Sequence, residues 1–138
     1  MLRALGHPGA GASDYLSASE ALLRNIEAFA PQAPQATRTA WTEVAAPAAR
    51  GLLAHARGQW ADAAVGLGLA LPQLTAIGGS HAQRELFEQL HVDALQRAGQ
   101  LAAVQNQLQP RANAQPQSQR LRRRLQAVNV GLGLPAAP

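Results

Sequence analysis

The residues best suited to chemistry lie in one short segment, Gly78–Arg84. Ser80 and His81 could pair a hydroxyl nucleophile with an imidazole base, or Arg84 and the amides of a helix start could hold an anion or peptide carboxylate. Helix capping is the simpler interpretation, because Ser80 and Gln83 form an S-x-x-Q capping box and adjacent side chains rarely face each other. No third catalytic group is identifiable, so we predict no enzymatic activity. The candidate binding residues of this turn are Gly78, Gly79, Ser80, His81 and Arg84.

A possible metal set overlaps this segment. His81, Glu85 and Glu88 lie one and two turns apart along a predicted helix, and His91 lies further along it. However, the chain has no HExxH motif and no cysteine, and histidines and glutamates on an exposed helix face are usually solvated. We therefore predict neither a metal nor a cofactor.

Two tryptophans are further candidate binding residues. Trp41 and Trp60 lie on helices that we expect to pair, where they would form either a stacking platform in a groove or part of the core. Their helical spacing favours the core.

A basic cluster near the C-terminus consists of Arg120, Arg122, Arg123 and Arg124. Its helix also carries an apolar stripe, which predicts that the stripe packs inward and the arginines face water. The stripe residues are Leu121, Leu125 and Val128. Aromatic residues do not alternate with the arginines, so nucleic-acid binding stays an alternative rather than the favoured interpretation.

Composition and charge limit the class of protein. The 138 residues correspond to one domain, and with 47% hydrophobic but only 4% aromatic residues its core must be built mainly from Ala, Leu and Val. All eight acids lie at or before Asp93 with six arginines, a net charge of −2, whereas the later residues hold six arginines and no acid, a net charge of +6. We find no signal peptide and no membrane span, so we expect a cytoplasmic location with no membrane partner.

Apolar periodicity predicts about six helices in a single helical-repeat domain at 13–130, between a disordered lead-in at 1–12 and a flexible tail at 131–138. Ser13 or Ser17 would cap the first helix, which ends near Ala30 with an inward apolar stripe. Pro47 either kinks the second helix (35–57) or starts a shorter one. The other helices are expected near 59–74, 80–98, 100–109 and 117–130. The predicted inward stripe of the first helix is Leu16, Leu22, Leu23, Ile26 and Phe29.

A repeated hairpin is the strongest fold signal. A helical run stops at Gly58 and again at Gly99, 41 residues later, and each time a new run begins two residues further with a large apolar residue. The spacing around the first turn matches the tetratricopeptide signature of small, turn, aromatic and alanine positions, although its period is normally ~34. The matching residues are Gly51, Ala54, Gly58, Trp60, Ala63, Leu67 and Ala70, and in the second copy Val92, Leu95, Gly99, Leu101, Val104 and Leu108.

The long helix after the first turn, followed by the Gly-Gly-Ser-His-Ala-Gln-Arg run at 78–84, resembles the C-terminal part of the family of tetratricopeptide repeat protein 38 over about residues 40–128. The resemblance implies an all-helical chain without an activity to carry over. We predict an all-α, right-handed α-solenoid that serves as a non-enzymatic scaffold and binds a peptide, a protein partner or itself, as a homodimer. The alternatives are nucleic-acid or anionic-ligand binding by the arginine cluster and a small anion site at the Gly78–Arg84 turn.

Overall fold

The computed structural model of this chain describes residues 11–135, and every long element in that range is a helix. The predicted lead-in therefore falls mostly outside the described residues, as do positions 136–138 of the predicted tail. The all-α class is confirmed. The helices are α1 (Ala12–Phe29), α2 (35–56), α3 (60–77), α4 (His81–Arg97), α5 (Leu101–Ala114) and α6 (Gln119–Gly131).

Two of these helices are composite. In α2 the α-helical segments Gln35–Thr39 and Ala46–Ala56 flank a π-helical stretch, Ala40–Ala45. In α3 the α-helical segment Trp60–Ala70 continues as a 3-10 helix, Leu71–Ile77. A short 3-10 turn at Ala30–Gln32 joins α1 to α2.

Each helix packs against its neighbour in sequence, from α1 on α2 to α5 on α6. The main buried cluster runs from α2 to α6 and consists largely of Ala, Leu and Val, as the composition predicts. A smaller cluster joins the π-helical part of α2 to the end of α3. Its buried members are Val44, Ala48, Ala70 and Leu74.

The crossing of α2 and α3 depends on two glycines. A Cβ atom on Gly66 would lie 2.7 Å from the backbone nitrogen of Gly51, and one on Gly51 would lie 2.7 Å from the backbone nitrogen of Leu67. A glycine in the middle of a helix would by itself weaken it, but Gly66 allows the two backbones to touch. The regular α-helix ends at Ala70, and Gln73 in the following 3-10 segment leaves helical geometry with φ −123°.

The π-helical stretch answers the open question about Pro47. Proline lacks an amide hydrogen and collides with the carbonyl four residues earlier in a regular α-helix. The wider turn just before Pro47, in which Ala46 donates to the carbonyl of Trp41, absorbs this conflict, so α2 continues through the proline. Leu52 and Ala56 continue the helical apolar spacing of Val44 and Ala48, which predicts that they face inward, but both are exposed.

The first helix differs most from expectation. Gly11 is its N-cap, and the backbone amide of Gly11 donates to Asp14 at 3.0 Å, so the predicted serine caps are wrong. Leu22 is 60% exposed and Phe29 is 45% exposed, and none of the α1 side chains that the structure describes is buried. Ion pairs connect the helix to α2 and its C-terminal end: Glu20 pairs with Arg57, and Glu27 with Arg50 at 3.1 Å.

The fifth helix continues through Pro110 to Ala114, where the sequence predicts a linker. Pro110 and Asn106, whose carbonyl loses its intrahelical partner, are both exposed, so water can satisfy that carbonyl. Tertiary contacts hold the extra turn, because Ala112 is buried and Arg111 lies near two glutamates of α4.

The glycine turn that ends the first helix of both hairpins occurs a third time, at the end of α6. Gly58, Gly99 and Gly133 have φ of +71°, +76° and +73°, a region that strongly favours glycine, and they lie 41 and then 34 residues apart. The residue after each glycine donates its amide to the carbonyl four residues before that glycine, at 2.9 Å in all three turns. The end of α6 is therefore equivalent to the ends of α2 and α4, the first helices of the two hairpins.

Burial of His91 predicts that acid destabilises the fold. His91 lies between α4 and α3, its Nδ1 atom has no hydrogen-bond partner, and burial lowers its pKa from 6.5 despite a hydrogen bond with the backbone of Ala64. Between the lowered folded pKa and 6.5 the unfolded chain binds more protons, so the free energy of unfolding falls as pH drops through that window. We expect denaturant titrations between pH 7.5 and about 4.5 to show a smaller slope in His91→Leu than in the original chain.

Asp93 does not contribute to the slope of the free energy of unfolding in this pH window. Burial alone would raise the pKa of Asp93, but hydrogen bonds and charges from His55 and Arg97 lower it below 3.8, so its contribution is lost only at more acidic pH. Equal slopes for His91→Leu and the original chain would contradict the prediction.

Among the described residues, one stretch has the length and composition of a membrane span: Trp60–Ile77, with a mean hydropathy of 1.2. In the structure it coincides with α3, which changes from α to 3-10 geometry at Leu71 and packs between α2 and α4.

Candidate functional site

The Gly78–Arg84 turn forms the capping box that the sequence predicts. The Ser80 hydroxyl accepts the Gln83 amide at 3.2 Å, and the Gln83 side chain accepts the Ser80 amide at 2.8 Å. Gly78 and Gly79 adopt φ of +80° and +95°, and the Arg84 guanidinium donates to the Gly79 carbonyl at 2.6 Å. The polar groups of the turn therefore bond to one another, which accounts for these residues without a ligand.

A substitution at Ser80 tests the capping role. Ser80→Ala removes the acceptor for the Gln83 amide and should lower the free energy of unfolding by about 1 kcal/mol, whereas Ser80→Asp should retain most of it. Urea titration followed by circular dichroism measures both. Equal stability of Ser80→Ala and the original chain would remove capping as the explanation for Ser80.

A cleft of about 320 Å³ lies beside this turn, and the exposed His81 lines it together with charged side chains of α4 and α5. Arg111 lies 3.6 Å from Glu85 and 3.7 Å from Glu88. Because Arg84 bonds to Gly79 and two glutamates face Arg111, the charges in the cleft nearly balance and do not favour a strongly anionic ligand. Within residues 11–135 no three histidine, aspartate or glutamate side chains converge as a metal site requires.

A second cluster of functional groups is not foreseen from the sequence. The Nε2 atom of His55 lies 2.8 Å from a carboxylate oxygen of Asp93, whose other oxygen accepts from Arg97 at 3.1 Å. The Arg97 guanidinium lies 4.6 Å from the centre of the Trp60 ring, and the edge of that ring meets His55 at 5.1 Å. These four side chains, the interhairpin cluster, join the turn of the first hairpin to α4.

The interhairpin cluster contains a histidine–carboxylate pair but no nucleophile to activate. Among the described residues no serine or threonine hydroxyl bonds to His55. Only the Asp93–Arg97 spacing of four residues could have been read from the sequence. The partnership of His55 and Asp93, 38 positions apart, depends on the packing of α2 against α4.

Both tryptophans are half-buried. Trp41 meets Phe29 of α1 edge-to-face at 5.0 Å, and Trp60 belongs to the interhairpin cluster. The helices that carry them do pack together. Each ring also bridges to a further helix, which limits the surface that it can offer to a ligand.

Three of the four arginines of the basic cluster face water, as the amphipathic pattern predicts. Arg120, Arg122 and Arg123 are exposed and form no ion pair with any described residue, whereas the half-buried Arg124 donates to Gln96 of α4 at 3.4 Å. On the opposite side of the helix the predicted stripe packs inward, with Leu125 8% exposed and Val128 1% exposed.

One side-chain contact links α2 to α4 and another links α4 to α6, and the exposed side chains of these three helices are here called the α2–α4–α6 surface. His55 joins α2 to α4 through Asp93, and Gln96 joins α4 to α6 through Arg124. These two connecting residues occupy the same place, three positions before Gly58 and Gly99. Among the exposed side chains of these helices are Leu52, Arg97, Arg123 and Ala127.

Comparison of the chain with protein-family models, with curated proteins and with solved structures finds no match. The resemblance to the tetratricopeptide repeat protein 38 family therefore rests on the residues quoted above.

Proposed function

We propose that this protein is a non-enzymatic interaction module built from TPR-like helical hairpins of the tetratricopeptide repeat protein 38 type. The observation that supports this function best is the α2–α4–α6 surface, whose three helices end in the same turn and are linked by the His55–Asp93 and Gln96–Arg124 contacts. Helical-repeat proteins use such extended surfaces to bind other proteins. The proposal includes a cytoplasmic location and needs no cofactor.

Site-specific photo-crosslinking tests this function. A photoreactive phenylalanine at position 52 in α2 or position 127 in α6 should capture the same protein in cells, because both positions are exposed on the proposed surface. The control is position 65 in α3, where Val65 is 62% exposed but lies outside that surface. Capture of no common protein at 52 and 127, or equal capture at 65, would contradict the proposal.

The captured protein, once purified, allows a quantitative check. Leu52→Asp should weaken its binding by about tenfold or more, because an interface stabilised by apolar burial loses that contribution and must desolvate a charge. Val65→Asp is the matched control and should leave the dissociation constant unchanged. Unchanged binding by Leu52→Asp would remove the α2–α4–α6 surface as the binding site.

The arginines favour a second candidate function, binding of nucleic acid or another polyanion. Five arginines lie on α5 and α6, these helices carry no acid, and Arg120, Arg122 and Arg123 are free of ion pairs with any described residue. If this function is real, fluorescence anisotropy should show single-stranded RNA binding that weakens steeply with salt. Arg122→Ala with Arg123→Ala should reduce the slope of log K against log salt by about 0.7 for each phosphate that is no longer neutralised, whereas Arg24→Ala on α1 should not. Salt-independent or absent binding would exclude this candidate.

A further inference from the structure

The third glycine turn implies an unfilled position in the packing. In the first hairpin, α3 packs against α2 at Gly51, which lies seven residues before the turn glycine. The carbonyl of Pro47, eleven residues before that glycine, also lies close to Gly66 of α3. The equivalent residues of α6, counted back from Gly133, are Gln126 and Arg122. Both are exposed, so the face of α6 that corresponds to the α3-binding face of α2 has no helix on it among the described residues.

A groove marks this position. It has a volume of about 730 Å³ and lies between α5 and α6, with Ala112 and Asn113 on one side and Arg122, Leu125, Gln126 and Asn129 on the other. Val130 also points to a continuation of the array. It occupies the place of His55 and Gln96, which contact the next first helix, and it is 64% exposed.

At the other end of the molecule, α1 has an exposed apolar face. Tyr15, Leu22 and Phe29 recur every seven residues and are 42%, 60% and 45% exposed, so they form an apolar stripe along the helix, whose last member, Phe29, also contacts Trp41 of α2. Leu23 lies one turn from both Glu20 and Glu27, which bind α2, and is half-buried on that side. The exposed stripe therefore lies one residue, about 100° of helix rotation, before the α2-facing side.

The same angular relation occurs in α3. Leu67 contacts α2, and the next residue, Gly68, contacts His91 of α4. In α3 the face toward α2, the first helix of its own hairpin, thus lies one residue before the face toward α4, the first helix of the next hairpin. In α1 the stripe at Leu22 lies one residue before Leu23, which faces the following first helix, so the stripe is placed to contact a preceding first helix.

Charge favours contact between opposite ends. Glu20 and Glu27 of α1 already pair with Arg57 and Arg50 of α2, whereas α5 and α6 carry five arginines and no acid. An interface between two α5–α6 ends would bring like charges together, but contact of that end with α1 does not.

We propose that the groove between α5 and α6 receives the Tyr15–Leu22–Phe29 stripe of α1 from a second copy of this chain, so that copies join head to tail. The proposal rests on the proposed protein-binding function and deepens it by naming one partner, at a surface other than α2–α4–α6. Because the contact joins two different patches, each pair keeps one free groove and one free stripe, and association continues until a ring closes or a filament forms.

Two interface variants and their mixture test this arrangement in sedimentation velocity. Leu22→Asp disables the stripe, and Gln126→Trp fills the groove; both positions are exposed, so both variants should fold. We expect the original chain to form dimers and larger species as its concentration rises. Each variant alone should associate at least about tenfold more weakly. An equimolar mixture of the two variants should form a 1:1 dimer and nothing larger, because it contains one intact groove and one intact stripe.

Matched controls are Ala28→Asp on α1 and Gln119→Trp on α6, which lie outside the stripe and the groove and should associate like the original chain. Circular dichroism confirms that all four variants fold. The proposal would be overturned if Gln126→Trp dimerised by itself while Leu22→Asp stayed monomeric even in the mixture. That result would indicate a symmetric α1–α1 contact. A monomeric original chain at sub-millimolar concentration would also overturn it, while the photo-crosslinking test of the α2–α4–α6 surface would be unaffected.

Discussion

Gly66→Ala is expected to lower the free energy of unfolding by about 2–3 kcal/mol. The added methyl group would lie 2.7 Å from the Gly51 nitrogen and 2.8 Å from both the Gly51 Cα atom and the Pro47 carbonyl oxygen. All three atoms belong to the backbone of α2, so no side-chain rotation can relieve the overlap and the two helices must separate. This cost should exceed the helix-propensity advantage of alanine over glycine, about 1 kcal/mol.

Gly68→Ala, two residues further along the same helix, is the control for helix propensity. Its methyl group would meet the Nε2 atom of His91 at 3.1 Å, and a side chain can move by a few tenths of an ångström. The propensity gain should roughly offset that adjustment, so we expect a change within about 1 kcal/mol. Urea titration measures both variants, and equal effects would show that the Gly51–Gly66 contact does not limit the packing of α2 and α3.

Leu108→Ala is expected to lower the free energy of unfolding by about 3–4 kcal/mol. Leu108 is 1% exposed and lies in the main core, so removing three carbon atoms loses apolar burial and leaves a cavity between α5 and its neighbours. Leu69→Ala is the matched control, since Leu69 is 61% exposed on α3 and should change stability by less than about 0.5 kcal/mol. Comparable losses in the two leucine variants would contradict the assigned core.

These substitutions also test whether the helices unfold together. Gly66 lies in the first hairpin and Leu108 in the second, and the main core extends from Ala54 in α2 to Val128 in α6. We expect both variants to shift one cooperative transition, because neighbouring repeats stabilise each other through their shared interfaces. Separate transitions for the two hairpins would show that the interhairpin cluster and the shared core couple them only weakly.

Local signals explain what was predictable. The capping box at Ser80 and the glycine turns at positions 58 and 99 involve residues close together in the chain, so the sequence is enough to predict them. The inward stripe of α6 also follows from its periodicity, because a regular helix keeps its apolar positions on one side. Where the helix is irregular, as around Pro47, the same reasoning places Leu52 inward and is wrong.

Other features depend on contacts that no local pattern records. The sequence predicts a linker after Gln109, but contacts with α4 keep the chain helical through Pro110. The third glycine turn is not predicted because Gln126 and Asn129 replace the small and apolar residues found at the equivalent positions of α2 and α4. The candidate site shows the same division: the turn at Gly78 was predictable, whereas the pairing of His55 with Asp93 was not.

Short-range patterns in the sequence are enough to establish that the chain is all-helical, where most helices begin and end, and that its hairpin turn recurs, because these depend on propensity, capping and periodicity over a few residues. The packing of the helices establishes which faces are buried, how closely α2 and α3 approach, and that both ends of the described helix array have an unpaired face. Those properties follow from contacts between residues far apart in sequence, such as Gly51 with Gly66 and Gln96 with Arg124, whose geometry is set only when the helices pack.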